Sequence, residues 1–223
     1  DILINKEKID PKNIQFSIDK EMGRHDRMHV SFEVKSSLID KFVTMAYMPD
    51  SLVELELNRI KDITGEEDFK KIFYGVMTKA EVMRTMGEYS KVSLEVSSIS
   101  ILMDREKNYR VFQDINIKYS DLIKTVFKPY EKNIMLYLDS RLEVSIGQVL
   151  VQAYESDWDF IKRILSDIGE AGMPLTSHLN SIVCGFLELT TYEANIINSE
   201  FTKGRDGKNI FFILHGYHIF FPP

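Results

Sequence analysis

Hydrophobic and polar positions alternate along the first hundred residues. "NIQFSID" (Asn13–Asp19) places Ile14, Phe16 and Ile18 on one side. "RMHVSFEV" does the same with Met28, Val30, Phe32 and Val34, and "SLVELELN" with Leu52 or Val53, Leu55 and Leu57. A period of two sends successive side chains to opposite faces, so each run predicts a strand with one buried face. "KIFYGVMTKAEVMRT" and "KVSLEVSSISILM" follow, the latter alternating Val92, Leu94 and Val96. Met86-Gly87-Glu88 between them reads as a hairpin turn, with glycine supplying the unusual φ of a tight turn. Gly75 marks a bulge or a close backbone approach. About six short antiparallel strands of this kind predict a barrel or a sandwich.

The period then lengthens. "YSDLIKTVFKPY" carries Leu122, Ile123, Val126 and Phe127 at helical spacing, with Ser120 as the expected N-cap and Pro129 as the stop. A polar stretch and a short strand, "QVLVQAY", come next. In "QAYESDWDFIKRILSDIG" (Gln152–Gly169) the apolar positions are Trp158, Ile161, Ile164 with Leu165, and Ile168. That is the stripe of an amphipathic helix, which Gly169 is placed to end. "NSIVCGFLELTTY" and "NIFFILHGYHIFFPP" read as strands again, with Asp206-Gly207 as a turn. The order is β, a small α/β insert, then β, without internal repeats.

Composition narrows the function classes. A chain of 223 residues with 44% hydrophobic and 28% charged residues forms one large domain or two small ones. The net charge is −6 and no basic run is present, which argues against sequence-specific nucleic-acid binding. The single cysteine, Cys184, sits in an apolar run and reads as a small buried hydrophobe. It excludes an intrachain disulfide framework and argues against a cysteine metal site. No apolar run approaches the ~20 residues of a membrane span, so no membrane insertion is expected. The N-terminus lacks a signal-peptide pattern, consistent with cytoplasmic synthesis, and the missing initiator Met suggests a trimmed chain.

Candidate chemistry centres on Glu155, Asp157 and Asp159. Ser156 precedes Asp159 by three residues, the spacing of a capping box, and Asp157 and Asp159 fall in the first turn, where the helix dipole favours negative charge. Two helical residues two apart do not face each other, so capping outweighs a catalytic or metal-binding pair. His215 and His218 in "HGYH" are three apart on a strand and point to opposite faces, which disfavours a shared metal. His25 and His29 read as surface residues at a turn and a strand start. "TGEEDFKK" (Thr64–Lys71) reads as a solvated loop. Gly204–Lys208 is too short for a phosphate loop. Met77, Met83 and Met86 read as flexible core filler. No catalytic, cofactor or metal residue is assigned.

Three blocks, in order, carry a family resemblance. "FYGVMTKAEV" resembles a tube strand of contractile-tail hub proteins. "SISILMDREKNYRVFQDINIKYSDLIKTVF" resembles the following block of those proteins. "VQAYESDWDFIKRILSDIGEAG" is the most specific, matching at Gln152, Tyr154, Glu155, Ser156, Asp157, Asp159, Phe160, Arg163, Leu165 and Gly169. The chain therefore resembles the baseplate hub family: phage late-control protein D, the N-terminal hub of VgrG proteins, and hubs of phage-tail-like bacteriocins. After "GEAG" the chain reads Met173-Pro174-Leu175-Thr176, closer to short hubs of Gram-positive phage-type tails.

The resemblance implies an α+β, mainly β fold: a tube-type antiparallel β-barrel (residues 1–104), a small α/β middle domain (105–178) and a partial or abbreviated second β-barrel (179–223). The first-barrel strands Met28–Val34, Phe73–Val82 and Val92–Ile101 are the expected tube walls. It further implies a homotrimer that adapts the sixfold inner tube to the threefold central spike, with no enzyme activity and no cofactor. The implied partners are the inner tube protein, the central spike protein and the baseplate wedge proteins. The implied location is the bacterial cytoplasm during assembly and then the phage tail or tail-like particle. The alternative is a cell-wall or glycan hydrolase or its substrate-binding module, which needs two converging carboxylates.

Overall fold

In the computed structural model, residues 1–21, 23–48, 50–60, 67–176 and 180–185 are described. The alternating runs form β3 (Lys12–Asp19), β4 (Arg27–Lys35), β5 (Leu52–Ile60), β6 (Glu67–Met83) and β7 (Tyr89–Ser98), preceded by the short β1 (Ile2–Ile4) and β2 (Glu7–Ile9). They make one seven-stranded sheet in the order β2-β1-β5-β6-β7-β4-β3, antiparallel at every ladder. The inward row is the alternating one. Met28, Val30, Phe32 and Val34 of β4 lie beside Val92, Leu94 and Val96 of β7, all buried. Of the two registers open for β5, Val53 and Leu55 are buried.

A helix, α1 (Ile39–Tyr47), crosses between β4 and β5 and adds Ile39, Phe42 and Met45 to the same core. Ile9 from one end of the sheet and Phe16 and Ile18 from the other pack against this one cluster. The sheet thus wraps its core as a barrel does, although among the described residues no ladder joins β2 to β3.

Gly75 is a site of close backbone approach. A Cβ there would lie 2.1 Å from the carbonyl oxygen of Ser97 on β7. The β6 register shifts on either side of it, opposite Leu55–Glu56 and between Met77 and Lys79. The β6–β7 hairpin forms where expected, but Gly87 does not take a positive φ. Thr85 shapes the turn instead: its Oγ1 accepts from the Gly87 N–H at 3.3 Å and donates to the Tyr89 carbonyl. Met83 and Met86 at this hairpin are exposed, because it projects beyond the core; only Met77 packs against it. Residues 67–71, expected in a loop, are the start of β6.

The second body follows a 3-10 turn, Ile99–Asp104, where a strand continuation was expected. It contains β8 (Lys107–Phe112), α2 (Tyr119–Phe127), β9 (Met135–Leu138), β10 (Leu150–Ser156), α3 (Asp157–Asp167), β11 (Gly172–Leu175) and β12 (Ser181–Cys184). β8 and β10 pair antiparallel; β12 pairs antiparallel with β11 and parallel with β9. Pro174 sits on the edge strand β11, where a missing N–H costs no ladder bond. The core joins Leu122, Ile123, Val126 and Phe127 of α2 to Trp158, Phe160, Ile161, Ile164 and Leu165 of α3. Each such side chain contributes about 1.5–3 kcal/mol when fully buried. Val76, Ile99 and Met103 belong to this second cluster, so the two bodies are welded by apolar contact.

Ser120 does not cap α2. The helix begins two residues earlier than that cap would set it, at Tyr119, with Lys118 in the cap position, and Ser120 is buried in the first turn. α3 ends as expected: Gly169 has φ +73°, and the N–H of Glu170 reaches the Leu165 carbonyl at 2.9 Å. Residues 186–223 lie outside the described residues. The expected second barrel beyond Gly185, the Asp206-Gly207 turn, Gly204–Lys208 and the His215–His218 pair all fall there.

Candidate functional site

The acidic stretch at the start of α3 is a capped helix end whose carboxylates diverge. Ser156 is extended, and its Oγ accepts from the Asp159 N–H at 3.1 Å. Glu155 turns towards Arg163, whose Nε lies 3.2 Å from it and whose Nη2 also donates to the Val151 carbonyl at 2.7 Å. Asp159 points to solvent and pairs with Lys162 at 2.8 Å. Asp157 points inward and is fully buried.

Asp157 is held from four directions. Asn108 on β8 donates at 3.0 Å, Gln152 on β10 at 2.8 Å and the Tyr130 hydroxyl at 3.0 Å. Arg110 on β8 completes the set with an ion pair and also donates to Gln152 at 2.7 Å. A buried charge needs such partners. Burial, followed by the charge and hydrogen bond of Asp157, raises the Tyr130 hydroxyl above its ordinary pKa, so it remains a donor. The carboxylate fastens the β8–β10 pair to the tip of α3. Its lone pairs are engaged by protein donors rather than presented to a substrate.

His25 departs from the expectation of a surface residue. Its side chain is 11% exposed and its ring lies 5.2 Å from that of Trp158. Nδ1 is 2.7 Å from Ser100 Oγ, and Nε2 is 2.7 Å from Asp104 Oδ2. Ser98 Oγ bonds Ser100 Oγ at 2.7 Å, and Ser156 Oγ donates to Asp104 Oδ1 at 2.6 Å. Serine, histidine and aspartate thus form a chain, the constellation that nucleophilic catalysis uses. Access argues against that use: Ser98 and Ser100 are both fully buried, so no acyl group can reach either hydroxyl. Burial pushes the Asp104 carboxyl up, but the hydrogen bonds from His25 and Ser156, with the charges of His25 and Lys162, hold it below its ordinary value.

A second clasp lies beside the first. Asp26, buried, accepts from Thr176 Oγ1 at 2.9 Å and pairs with Lys20 at 3.2 Å. Lys20 also donates to Thr176 at 3.0 Å, and the Asp26 carbonyl accepts from the Ser98 N–H at 2.8 Å. Burial raises the Asp26 carboxyl above its ordinary value, only partly offset by Lys20 and Thr176. These contacts pin the β3–β4 loop to the 3-10 turn, the α3 N-terminus and the residue after β11. Sequence spacing gave no signal of them, because the side chains that join separate elements lie 52 to 156 residues apart.

The remaining candidates sit elsewhere. Burial pushes the Cys184 thiol up to about 12, which makes it inert. His29 is exposed on the outer face of β4, beside an open groove of about 400 Å³. There Lys79 pairs with Glu81 at 2.7 Å and Glu95 at 3.4 Å. Among the described residues no three His, Cys, Asp or Glu side chains converge on a metal-sized site, and no helix is long and apolar enough to cross a membrane.

A wrapped antiparallel sheet, a small α/β body and acids engaged in internal clasps define a mainly β, α+β architectural class. The model of the phage tail baseplate hub (GPD) family matches residues 27–170, more than half of the chain. The chain belongs to that family. No curated protein matches it. Among solved structures, Escherichia coli c3393, a component of the type VI secretion system, superposes with TM-score 0.58 at 12% identity, over 82% of this chain and 48% of that one. The 43 kDa tail protein of prophage MuSo2 from Shewanella oneidensis gives 0.59 at 11% identity, over 82% and 52%. A chain of the Francisella PdpA–VgrG complex gives 0.56 at 13% identity, over 89% and 33%. These likenesses are of fold. The chain spans about half the length of the first two.

Proposed function

We propose that this chain is the structural baseplate hub of a phage tail or phage-tail-like contractile injection particle. It trimerises, and the trimer adapts a sixfold inner tube to a threefold central spike. The observation that carries the reading is the family match across residues 27–170, which runs from β4 of the wrapped sheet through α3 of the clasped α/β body. Residues 1–104 form the tube-like domain, 105–178 the middle domain, and 179–223 begin a second barrel. The outward face of β4, β6 and β7 carries matched charges such as Lys79 with Glu81 and Glu95, which suits a wall lined by neighbours or water. A repeating heterologous interface closes into a ring when its rotation closes, as a trimer of two-barrel chains would require.

The partners are the inner tube, central spike and baseplate wedge proteins. The protein assembles in the bacterial cytoplasm and ends in the tail particle. Its role is architectural rather than enzymatic, since Asp157 is saturated by donors and Ser100 is sealed. Co-expression with the tube protein of the same particle tests this. Tube-capped complexes containing the chain are expected by electron microscopy, and tubes lacking it would contradict the reading. A zymogram on cell-wall substrate separates the hydrolase alternative: clearing by folded protein would favour that alternative.

A further inference from the structure

The β6–β7 hairpin ends in an apolar knob. Met86 is fully exposed at its tip, and Met83 is 66% exposed. The tip is braced. Ser36 Oγ donates to the Gly87 carbonyl at 2.9 Å, and the Ser36 N–H donates to the Glu88 carbonyl at 2.8 Å. With the Thr85 bonds, these fix the turn that carries Met86. A thioether held outward on a fixed turn suits an irregular apolar socket, because methionine is unbranched and polarizable. One charge stands on each side of it: Arg84 two residues before and Glu88 two residues after, both exposed.

The second body carries an open groove of about 390 Å³ between α2 and β9. Phe127 and the consecutive residues Ile134 to Leu138 line it, with Met135 50% exposed. Successive strand residues point to opposite faces, so a run of neighbours lining one groove places it along the strand's edge. β9 is an edge strand of its sheet among the described residues, so that edge is open. The rim is charged at two points, Lys124 on α2 and Glu131 on the turn after it, both exposed.

We propose that the β6–β7 hairpin tip of one copy of this chain docks in the α2–β9 groove of a second copy, with Met86 in the groove, Arg84 against Glu131 and Glu88 against Lys124. Knob and groove match in the two respects that decide a contact. An apolar tip meets an apolar lining, and the thioether can lie against the Phe127 and Tyr137 rings of the groove. The two charges of the tip meet opposite charges on the rim. The reverse direction would set Arg84 against Lys124 and Glu88 against Glu131, like against like, so complementarity fixes one direction. Arg84 now pairs with Asp40, and Lys124 with Asp121 at 3.0 Å; these pairs join exposed groups and cost little to exchange. Two different surfaces of one chain join copies head to tail, the heterologous contact that makes a ring when its rotation closes. One tip in one groove is small beside the ~1,200–2,000 Å² of a stable interface, so it acts as one contact within such a ring. The pairing of copies rests on the trimer reading above, whereas the docking site rests on the two surfaces.

The test uses the full chain with Met135→p-benzoylphenylalanine, irradiated in solution and mapped by peptide mass, with the mass before irradiation read by light scattering. The expected product has two-chain mass or more and joins position 135 to a peptide within 83–88. A trimer whose crosslinks map elsewhere overturns the docking site and leaves the trimer reading standing. A crosslink at single-chain mass, or none, also overturns the docking site, and a monomeric mass throughout contradicts trimerisation as well. Adding Arg84→Glu gives a second reading. The crosslink yield is expected to fall about tenfold, and Glu131→Lys added to that variant is expected to restore it, because opposite charges face each other again. An unchanged yield with Arg84→Glu, or no recovery with Glu131→Lys, overturns the proposal.

Discussion

The guanidinium of Arg110 on β8 meets the carboxylate of Asp157 at the first residue of α3, with the second nitrogen–oxygen contact at 3.3 Å. The aspartate is fully buried, whereas the arginine side chain is 29% exposed. Removing the arginine therefore strands a charge in the core, which costs more than the pair contributes. Arg110→Ala is expected to lower stability by about 3 kcal/mol, at the low end for a buried pair because water reaches the arginine. Adding Asp157→Asn to that variant should restore part of the loss. Urea unfolding of the two single variants and the double variant measures the coupling, and simple additivity would show that the two residues act separately.

Ser156 makes two hydrogen bonds, one accepted from Asp159 N–H and one donated to Asp104. Ser156→Ala should cost about 1–2 kcal/mol, the cap plus the lost donor. Ser156→Asp should restore the cap but set a second charge against Asp104, and so should remain destabilised. Thermal melts of both variants at neutral pH test this.

Asp26 and Asp104 should show opposite pH dependences. The folded pKa of Asp26 is raised above the ordinary 3.8, so the native state holds its proton more tightly than the unfolded chain. The stability it contributes is full below 3.8 and is lost as pH rises through the raised value. The folded pKa of Asp104 is lowered, so its contribution is present above 3.8 and is lost as pH falls through the lowered value. The stability difference between wild type and Asp26→Asn should therefore fall as pH rises above 3.8, and that between wild type and Asp104→Asn should rise as pH climbs towards 3.8 from below. Denaturant titrations that run from strongly acidic pH, below the ordinary 3.8, up to neutral pH read both slopes, that of Asp104 below 3.8 and that of Asp26 above it. Equal signs would contradict the assignment.

Two glycines in neighbouring elements should respond differently. Gly75→Ala drives a methyl to within 2.1 Å of the Ser97 carbonyl and should cost at least ~2 kcal/mol, or shift the β6 register. Gly87→Ala meets only the Thr85 hydroxyl at 3.6 Å with φ outside the left-handed region, and should change stability by less than about 0.5 kcal/mol. Unfolding midpoints of the two variants, compared side by side, decide it.

The sheet was legible because β4 and β7 each bury one face, which imprints a period of two on Met28–Val34 and Val92–Val96. The α3 helix was legible for the matching reason at a longer period, together with Ser156 and Gly169 at its ends. β1 and β2, at three residues each, are too short to show a period. α1 escaped because its Ile39, Phe42 and Met45 follow directly on the β4 pattern without a capping residue. Ser120 misled because a hydroxyl before an apolar run resembles a cap even when the helix has already begun. The His25–Asp104–Ser156 and Asp26–Thr176 contacts were illegible for a different reason. They exist only once the β3–β4 loop meets α3, and no local pattern records that meeting.

Intact tail particles carrying a labelled copy of this chain can be counted for hub and tube subunits and imaged at the junction of tube and spike. Three copies per particle are expected, all at that junction, beneath a tube whose rings hold six subunits. Six copies per ring along the tube, or a chain absent from purified particles, would contradict it.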